Sequence, residues 1–306
     1  MSIIRRLLLV MCASGAAVAW EASADLLYWF ASEEPQTVWA TAAGEAGFNQ
    51  IFFRPTDLSF DWDYGVRLGV GQTCGRWDLR LYWTGYWTKG RDALPDTGAI
   101  IFPEFFGGFV NGDQARSGQV RWGLNYGMFD WELGRPFCLC GGLTLRPFLA
   151  LKGGWINQTI HSSWQNETSG MPPVNFDSTE DLSQDFWGIG PSGGLNSKWA
   201  LCRYLSLVGD FSAAMLWGNW DFDDLYRNTL GKEIRVTLPH SHLGGSMLRG
   251  FVGVRGETFC RCHLAASLGY EMQIWFDQLR IATFQQLRLH GDLTIQGVTF
   301  RCQCDF

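Results

Sequence analysis

The chain has 306 residues, 46% of them hydrophobic, and a formal net charge of −6, enough for one large domain or two. The acidic balance, with no basic run, excludes nucleic acid as a partner, and no stretch beyond the N-terminus is apolar for the ~20 residues of a transmembrane helix. Glycine (37), tryptophan (16) and phenylalanine (22) are abundant, which suits a β-protein with an uncrowded inner wall and aromatic side chains at a membrane interface.

Residues 1–19 read as a secretory signal peptide. Arg5 and Arg6 supply the positive start, Leu7 to Val18 the apolar run, and Ala17-Val18-Ala19 the small-residue cleavage site before Trp20. The mature chain is then 20–306, exported and without a helical membrane span.

From Trp20 onward the pattern has a period of two, the signature of a strand with unlike faces. Trp20, Ala22, Ala24, Leu26, Tyr28 and Phe30 alternate with Glu21, Ser23 and Asp25. After a polar segment to about Phe60, Tyr64, Val66, Leu68 and Val70 oppose Asp63 and Arg67. A turn at Cys74-Gly75 leads to Leu79, Leu81, Trp83 and Trp87, which face away from Asp78, Arg80, Tyr82 and Thr84. A second long loop runs to about Ser117. The next strand, Gln119 to Leu133, changes phase near Gly127, from Trp122-Leu124-Tyr126 to Phe129-Trp131-Leu133, which reads as a bulge.

The turn Cys138-Leu139-Cys140-Gly141 precedes a strand with Leu143, Leu145, Leu149, Leu151 and Trp155 outward and Thr144, Arg146 and Lys152 inward. A third polar loop extends to about Ser183. Two long arms follow, Asp185 to Trp199 and Tyr204 to Trp220, around the turn Leu201-Cys202-Arg203. Each arm is roughly 15 residues, beyond an ordinary globular strand, and each carries aromatic side chains near both ends, Trp187 and Trp199 on the first, Tyr204 and Trp217 on the second. A fourth loop, about Phe222 to Gly245, leads to Leu248–Glu257, the turn Cys260-Arg261-Cys262, and the cleanly alternating strand His263 to Phe276. The last strand ends at Phe306; Leu293 and Ile295 lie off its parity and call for a second bulge near Gln296-Gly297.

This predicts an all-β fold, a transmembrane antiparallel β-barrel of about ten strands with short periplasmic turns and long extracellular loops. Closure satisfies the edges that an open sheet would leave unpaired in lipid. Leu268 then faces lipid and should resist replacement by Arg, whereas Gln273 faces the lumen and should tolerate it.

The chain resembles the pore-forming outer-membrane proteins typified by the Legionella major outer membrane protein, a family expanded in chlamydia-like bacteria. The segments that carry the resemblance are Trp20 to Trp29, Leu143 to Phe148, Phe186 to Pro191 with Gly194 to Trp199, and Gly291 to Gly297. It implies an outer-membrane barrel and a pore in a Gram-negative envelope, and it carries over no catalytic residues. Terminal Phe306 stands where such barrels present an aromatic residue to the barrel-assembly machinery. The implied surroundings are outer-membrane lipid, with an oligomer left open.

Several motifs are weighed and set aside. Gly190-Pro191-Ser192-Gly193-Gly194 fits a nucleophile elbow and Gly188 to Gly193 a dinucleotide fingerprint, but neither has the strand-turn-helix context. His240 with His242, and Asp221, Asp223 and Asp224, read as solvated loop residues, so neither a metal nor another cofactor is expected. The inward parity is more informative: Arg67, Arg80, Arg121, Arg146, Lys152, Lys198, Asp210, Arg249, Arg255 and Glu271 are the candidate pore-lining residues. Their near-balanced signs predict weak ion selectivity; a ladder of ion pairs filling a narrow barrel is the competing reading. The first-ranked function is a passive diffusion pore for small hydrophilic solutes. The alternative is a structural or adhesive, disulfide-linked envelope barrel with a plugged lumen, and no enzymatic activity is expected.

Cys74, Cys138, Cys140, Cys202, Cys260, Cys262, Cys302 and Cys304 all fall at short turns or the C-terminus, at one rim of the barrel. Their even number and the oxidising periplasm make them candidates for disulfides, to one another or to other cysteine-rich envelope proteins.

Overall fold

The computed structural model describes residues 18–34, 38–45, 51–103, 114–168, 170–259, 262–282 and 288–306. The proposed signal peptide lies outside them up to residue 17, and the first strand begins at Val18, two residues ahead of the expected mature start. The elements are β1 (Val18–Glu34), β2 (Val38–Glu45), β3 (Ile51–Asp57), β4 (Asp63–Cys74), β5 (Trp77–Leu94), β6 (Ile100–Pro103), β7 (Gln114–Gly134), β8 (Phe137–Cys138), a 3-10 turn (Cys140–Gly142), β9 (Leu143–Glu167), β10 (Asn175–Ala200), β11 (Leu205–Asn228), β12 (Glu233–Phe259), β13 (His263–Ala282) and β14 (Arg288–Asp305).

Ten of these strands close a ring in the order β1, β4, β5, β7, β9, β10, β11, β12, β13, β14, every neighbour antiparallel. The seam is β1 against β14, in register from Glu21↔Asp305 to Glu34↔Asp292. Trp20 and Phe306 lock its end by exchanging two backbone hydrogen bonds of 2.8 Å. The ring therefore has no free edge to satisfy in lipid. Short strands β2, β3 and β6 form a small extension of the sheet that reaches β7 at Ile101↔Ala115.

The outer wall is apolar from the short-turn end to an aromatic level made by Tyr28, Tyr64, Trp87, Trp187, Trp217 and Tyr270, all exposed. Trp20, Trp77, Phe137, Trp199, Tyr204 and Phe306 mark the opposite border. Two aromatic girdles with Leu, Val and Met between them define the membrane-spanning band. Beyond the upper girdle the strands continue, but their outer face turns polar: Asn157 opposes Asp185, which opposes Asp221, and farther out His161 pairs with Asp181 and Arg235 with Asp223.

The third and fourth loops expected from the sequence are largely strand. Residues 168–174 join β9 to β10 and residues 229–232 join β11 to β12. The reason is an exchange of faces. In Ile160, Trp164, Leu182, Phe186, Trp220 and Phe222 the apolar side chains point inward, and the polar alternates face solvent. The same exchange removes both expected bulges. The β7 ladders run unbroken past Gly127, with Trp122, Leu124, Tyr126 and Met128 inside and Phe129, Trp131 and Leu133 outside. β14 likewise keeps its register past Gly297, with Leu293 and Ile295 buried within. Gly297 does take φ +154°, and a Cβ there would meet the Tyr28 carbonyl oxygen at 2.3 Å, so only glycine fits where the two faces change character.

Candidate functional site: the barrel lumen

The lumen has two halves of opposite chemistry. At the short-turn end it opens as a vestibule of about 370 Å³ lined largely by charged side chains. Arg146 anchors one side: its Nε lies 2.8 Å from Asp78 Oδ1 and its Nη1 2.7 Å from both Glu132 Oε2 and Asn196 Oδ1, and Nη2 also reaches Asp78. Lys152 Nζ lies 2.5 Å from Asp130. Arg80 reaches Glu21 at 2.9 Å, and Lys198 and Arg255 share Glu257 at 2.5 and 2.7 Å. Arg301 bridges Asp25 and Asp210 at 3.1 and 3.5 Å.

The vestibule ends on Glu271, which is fully buried and accepts from two guanidinium groups. Arg67 donates to it at 2.7 and 3.0 Å, Arg249 at 2.7 and 3.3 Å, and the Gln273 amide at 2.9 Å. Arg67 also meets Asp25 at 3.2 Å and lies over the Trp29 ring, 5.6 Å from its centre. Charges taken this far from water persist only when each lone pair and proton has a partner, and here every member of the cluster has one.

Above Glu271 the lumen becomes apolar. Trp29, Tyr86, Met128, Ile156, Phe186, Leu216 and Trp275 are completely buried and project from seven different strands. Hydrogen bonds tie this layer together: Tyr126 donates across the barrel to Gln273 at 2.9 Å, and Trp122 donates to Gln158 on the neighbouring strand at 2.9 Å. Gln158 in turn donates to Glu33 at 2.6 Å. Burial pushes the Glu33 carboxyl up to about 8, against the opposing pull of the Gln158 hydrogen bond. A ten-stranded barrel is narrow enough for wall side chains to fill, and these do.

Nine of the ten candidate pore-lining residues, namely Arg67, Arg80, Arg146, Lys152, Lys198, Asp210, Arg249, Arg255 and Glu271, point into the barrel, into ion pairs rather than a bare channel. Arg121 does not. Trp122 takes the interior position, so Arg121 stands exposed on the outer wall, opposite Arg91 and His161. Its assignment follows from placing Trp122 in lipid, which the apolar upper lumen overturns. Two residues missed by the sequence reading, Arg301 and Gln158, span the lumen; Arg301 shares the parity of Thr299, the only available signal.

The remaining candidates are placed as follows. Ser192 lies mid-strand and donates to the Ala213 carbonyl at 3.1 Å, so Gly190 to Gly194 is no elbow. Asp221 and Asp223 face outward and Asp224 inward, so the three do not converge. The side chains of His240, His242 and Cys140 lie outside the described residues, as does Cys260. Cys74 ends β4, and Cys138 and Cys202 are exposed at the same end of the barrel. Cys302 and Cys304 sit on the outer face of β14, and the neighbouring Cys262 thiol raises the pKa of Cys304.

Comparison with solved structures returns outer-membrane barrels. The outer membrane protease OmpT of Escherichia coli superposes with a TM-score of 0.48 at 9% identity, over 94% of this chain and 96% of that one. A major outer membrane protein from Thermus thermophilus gives 0.33 at 12%, over 95% and 100%. A Pseudomonas aeruginosa FadL homologue gives 0.31 at 11%, over 97% and 91%. None of the three bears on activity at this distance. Among curated protein sequences none matches the chain. The family described as Legionella pneumophila major outer membrane protein precursor matches residues 13–306. With a closed ten-stranded barrel, two aromatic girdles and a family match over nearly its whole length, the chain is an outer-membrane β-barrel and belongs to the Legionella major outer membrane protein family.

Proposed function

We propose that the protein is a non-enzymatic, structural envelope barrel whose resting lumen is closed. The observation that carries this reading is the layer of wholly buried side chains above Glu271, contributed by seven strands and tied across the barrel by hydrogen bonds. Refolded protein in planar bilayers should then show no conductance steps, and steps in wild-type protein would overturn the reading. A passive pore for small hydrophilic solutes is the second reading, favoured by the charged vestibule of about 370 Å³. It requires steps in the same experiment, with nearly equal anion and cation permeability because lysine and arginine alternate with Asp and Glu along the vestibule.

The rim cysteines extend the structural role. In this reading Cys262 and Cys304 pair within the barrel, and exposed Cys138, Cys202 and Cys302 link to other cysteine-rich envelope proteins; their free thiols at one rim support it. In an oxidising periplasm such links brace the barrel and join it to its neighbours. Non-reducing electrophoresis of envelopes should show high-mass species that collapse to monomer on reduction; a monomer without reductant, with all thiols open to a maleimide, would count against the idea. In the same reading Phe306, exposed at the end of the closing seam, is the contact for the barrel-assembly machinery.

A further inference from the structure

Among the described residues, the neighbouring carboxylates Glu180 and Asp224 in the extracellular half of the lumen have no countercharge. Glu180 on β10 lies opposite Tyr226 on β11, and Leu182 lies opposite Asp224, so Glu180 and Asp224 are diagonal neighbours on the inner wall. Diagonal positions are within reach of long side chains. Glu180 is 3% exposed and Asp224 5%. One oxygen of Glu180 accepts from Ser162 at 3.2 Å, and Ser162 in turn accepts from Trp164 at 2.9 Å. The other oxygen, Oε1, has no partner, nor has Oδ1 of Asp224.

Among the described residues, the nearby cations are committed elsewhere. Arg235 binds Asp223 at 2.7 Å and His161 binds Asp181 at 2.5 Å, both on the outer wall. The charged neighbours of the pair are thus Asp181 and Asp223, which deepen its negative potential. Buried polar atoms are normally satisfied, and two adjacent buried carboxylates require a proton or a cation between them. The free oxygens are hard donors, the hydroxyl of Ser162 stands beside them, and no sulfur or imidazole is among them. Such a donor set suits a divalent cation of the calcium or magnesium class.

We propose that Glu180 and Asp224 hold a small divalent cation in the extracellular half of the barrel. Trios of acidic, cysteine or histidine ligands that could hold a metal are absent among the described residues, so the ion keeps several waters. Its affinity then falls in the weak range of sites that work at extracellular calcium, Kd of about 10⁻⁴–10⁻³ M. The site belongs to the barrel wall and does not depend on whether the lumen conducts. Burial raises both carboxyl pKa values, Asp224 to about 7, so binding strengthens as pH rises through that range.

The test is terbium luminescence on the refolded full-length chain at pH 8, with Trp164, which donates to Ser162, as sensitiser. Emission should saturate, calcium should displace the terbium, and sodium at equal ionic strength should not. Glu180→Gln and Asp224→Asn each remove a charge from a crowded site without changing its shape, and each should weaken terbium binding tenfold or more. Asp223→Asn, on the outer wall, should change it less than twofold. Absence of saturable emission, or equal affinity in wild type, Glu180→Gln and Asp224→Asn, would overturn the proposal and leave the two carboxyls sharing a proton. A heat-modifiable electrophoretic shift, shown by each variant, confirms that the barrel has formed.

Discussion

Replacing Glu271 by Gln tests the idea that charge pairing closes the base of the lumen. The substitution keeps the shape of the side chain and removes one unit of charge. Glu271 is the carboxylate shared by Arg67 and Arg249, at 2.7 Å from each. Without it, Arg67 retains Thr84 at 2.9 Å as a neutral acceptor and Asp25 at 3.2 Å as its one anionic partner among the described residues, and Asp25 already serves Arg301. The amide of the variant would also turn a donor toward one guanidinium. Breaking a buried pair while leaving its partner charged costs about 3–5 kcal/mol, and two partners are stranded here. Urea unfolding in detergent micelles, followed by tryptophan fluorescence, should show a loss of that size. The double variant Arg67→Met with Glu271→Met should lose less than the sum of its single variants, because the apolar pair leaves no orphaned charge between the two positions. A loss below about 1 kcal/mol for Glu271→Gln would refute the reasoning, since the cluster would then be solvated.

Leu268→Arg, at mid-strand on the lipid-facing wall, should cost about 2–4 kcal/mol in vesicles; a neutral result would undo the assignment of faces. Arg121→Gln should stay within about 0.5 kcal/mol of wild type in the same assay, because Arg121 stands in solvent above the upper girdle, and a large loss would return it to the lumen. Glu33 gives a pH signature. Folded protein holds the Glu33 proton to about 8, whereas the unfolded chain releases it near 4.5, so between those values the folded state binds more protons. Stability should decline across that window by up to about 1.4 kcal/mol per pH unit, Glu33→Gln should flatten the decline, and identical pH profiles of melting temperature for the two proteins would count against it.

The barrel itself is legible in the sequence because one solvent borders each wall inside the membrane. Leu264, Leu268 and Met272 against Ser267, Glu271 and Gln273 leave little choice of face. Legibility stops where lipid gives way to water. There Trp122, Ile160 and Trp220 are apolar because they pack inside, the reverse of Trp131, Leu149 and Trp217 lower on the same strands. Alternation has no sign of its own, so keeping one apolar wall puts Arg121 inside and requires two bulges. The same blindness makes Gln273 look tolerant of Arg, whereas it is 2% exposed and hydrogen-bonded to Tyr126 and Glu271. Cross-lumen partners such as Gln158 and Glu33 leave no local trace, being 125 residues apart.

The continuation of β9 to β12 beyond the upper girdle constrains how the exposed surface can diversify. On β9 about ten residues stand clear of the girdle, which at usual strand rise and tilt is about 25 Å of ordered wall. Every second residue of that wall belongs to the packed interior, as Thr159, His161 and Ser163 alternate with Ile160, Ser162 and Trp164. Inserting one residue would turn the whole outer register inward. Surface novelty there must arise by point substitution at alternate positions, and an antibody against it would read a folded strand surface and lose its target when the barrel is denatured.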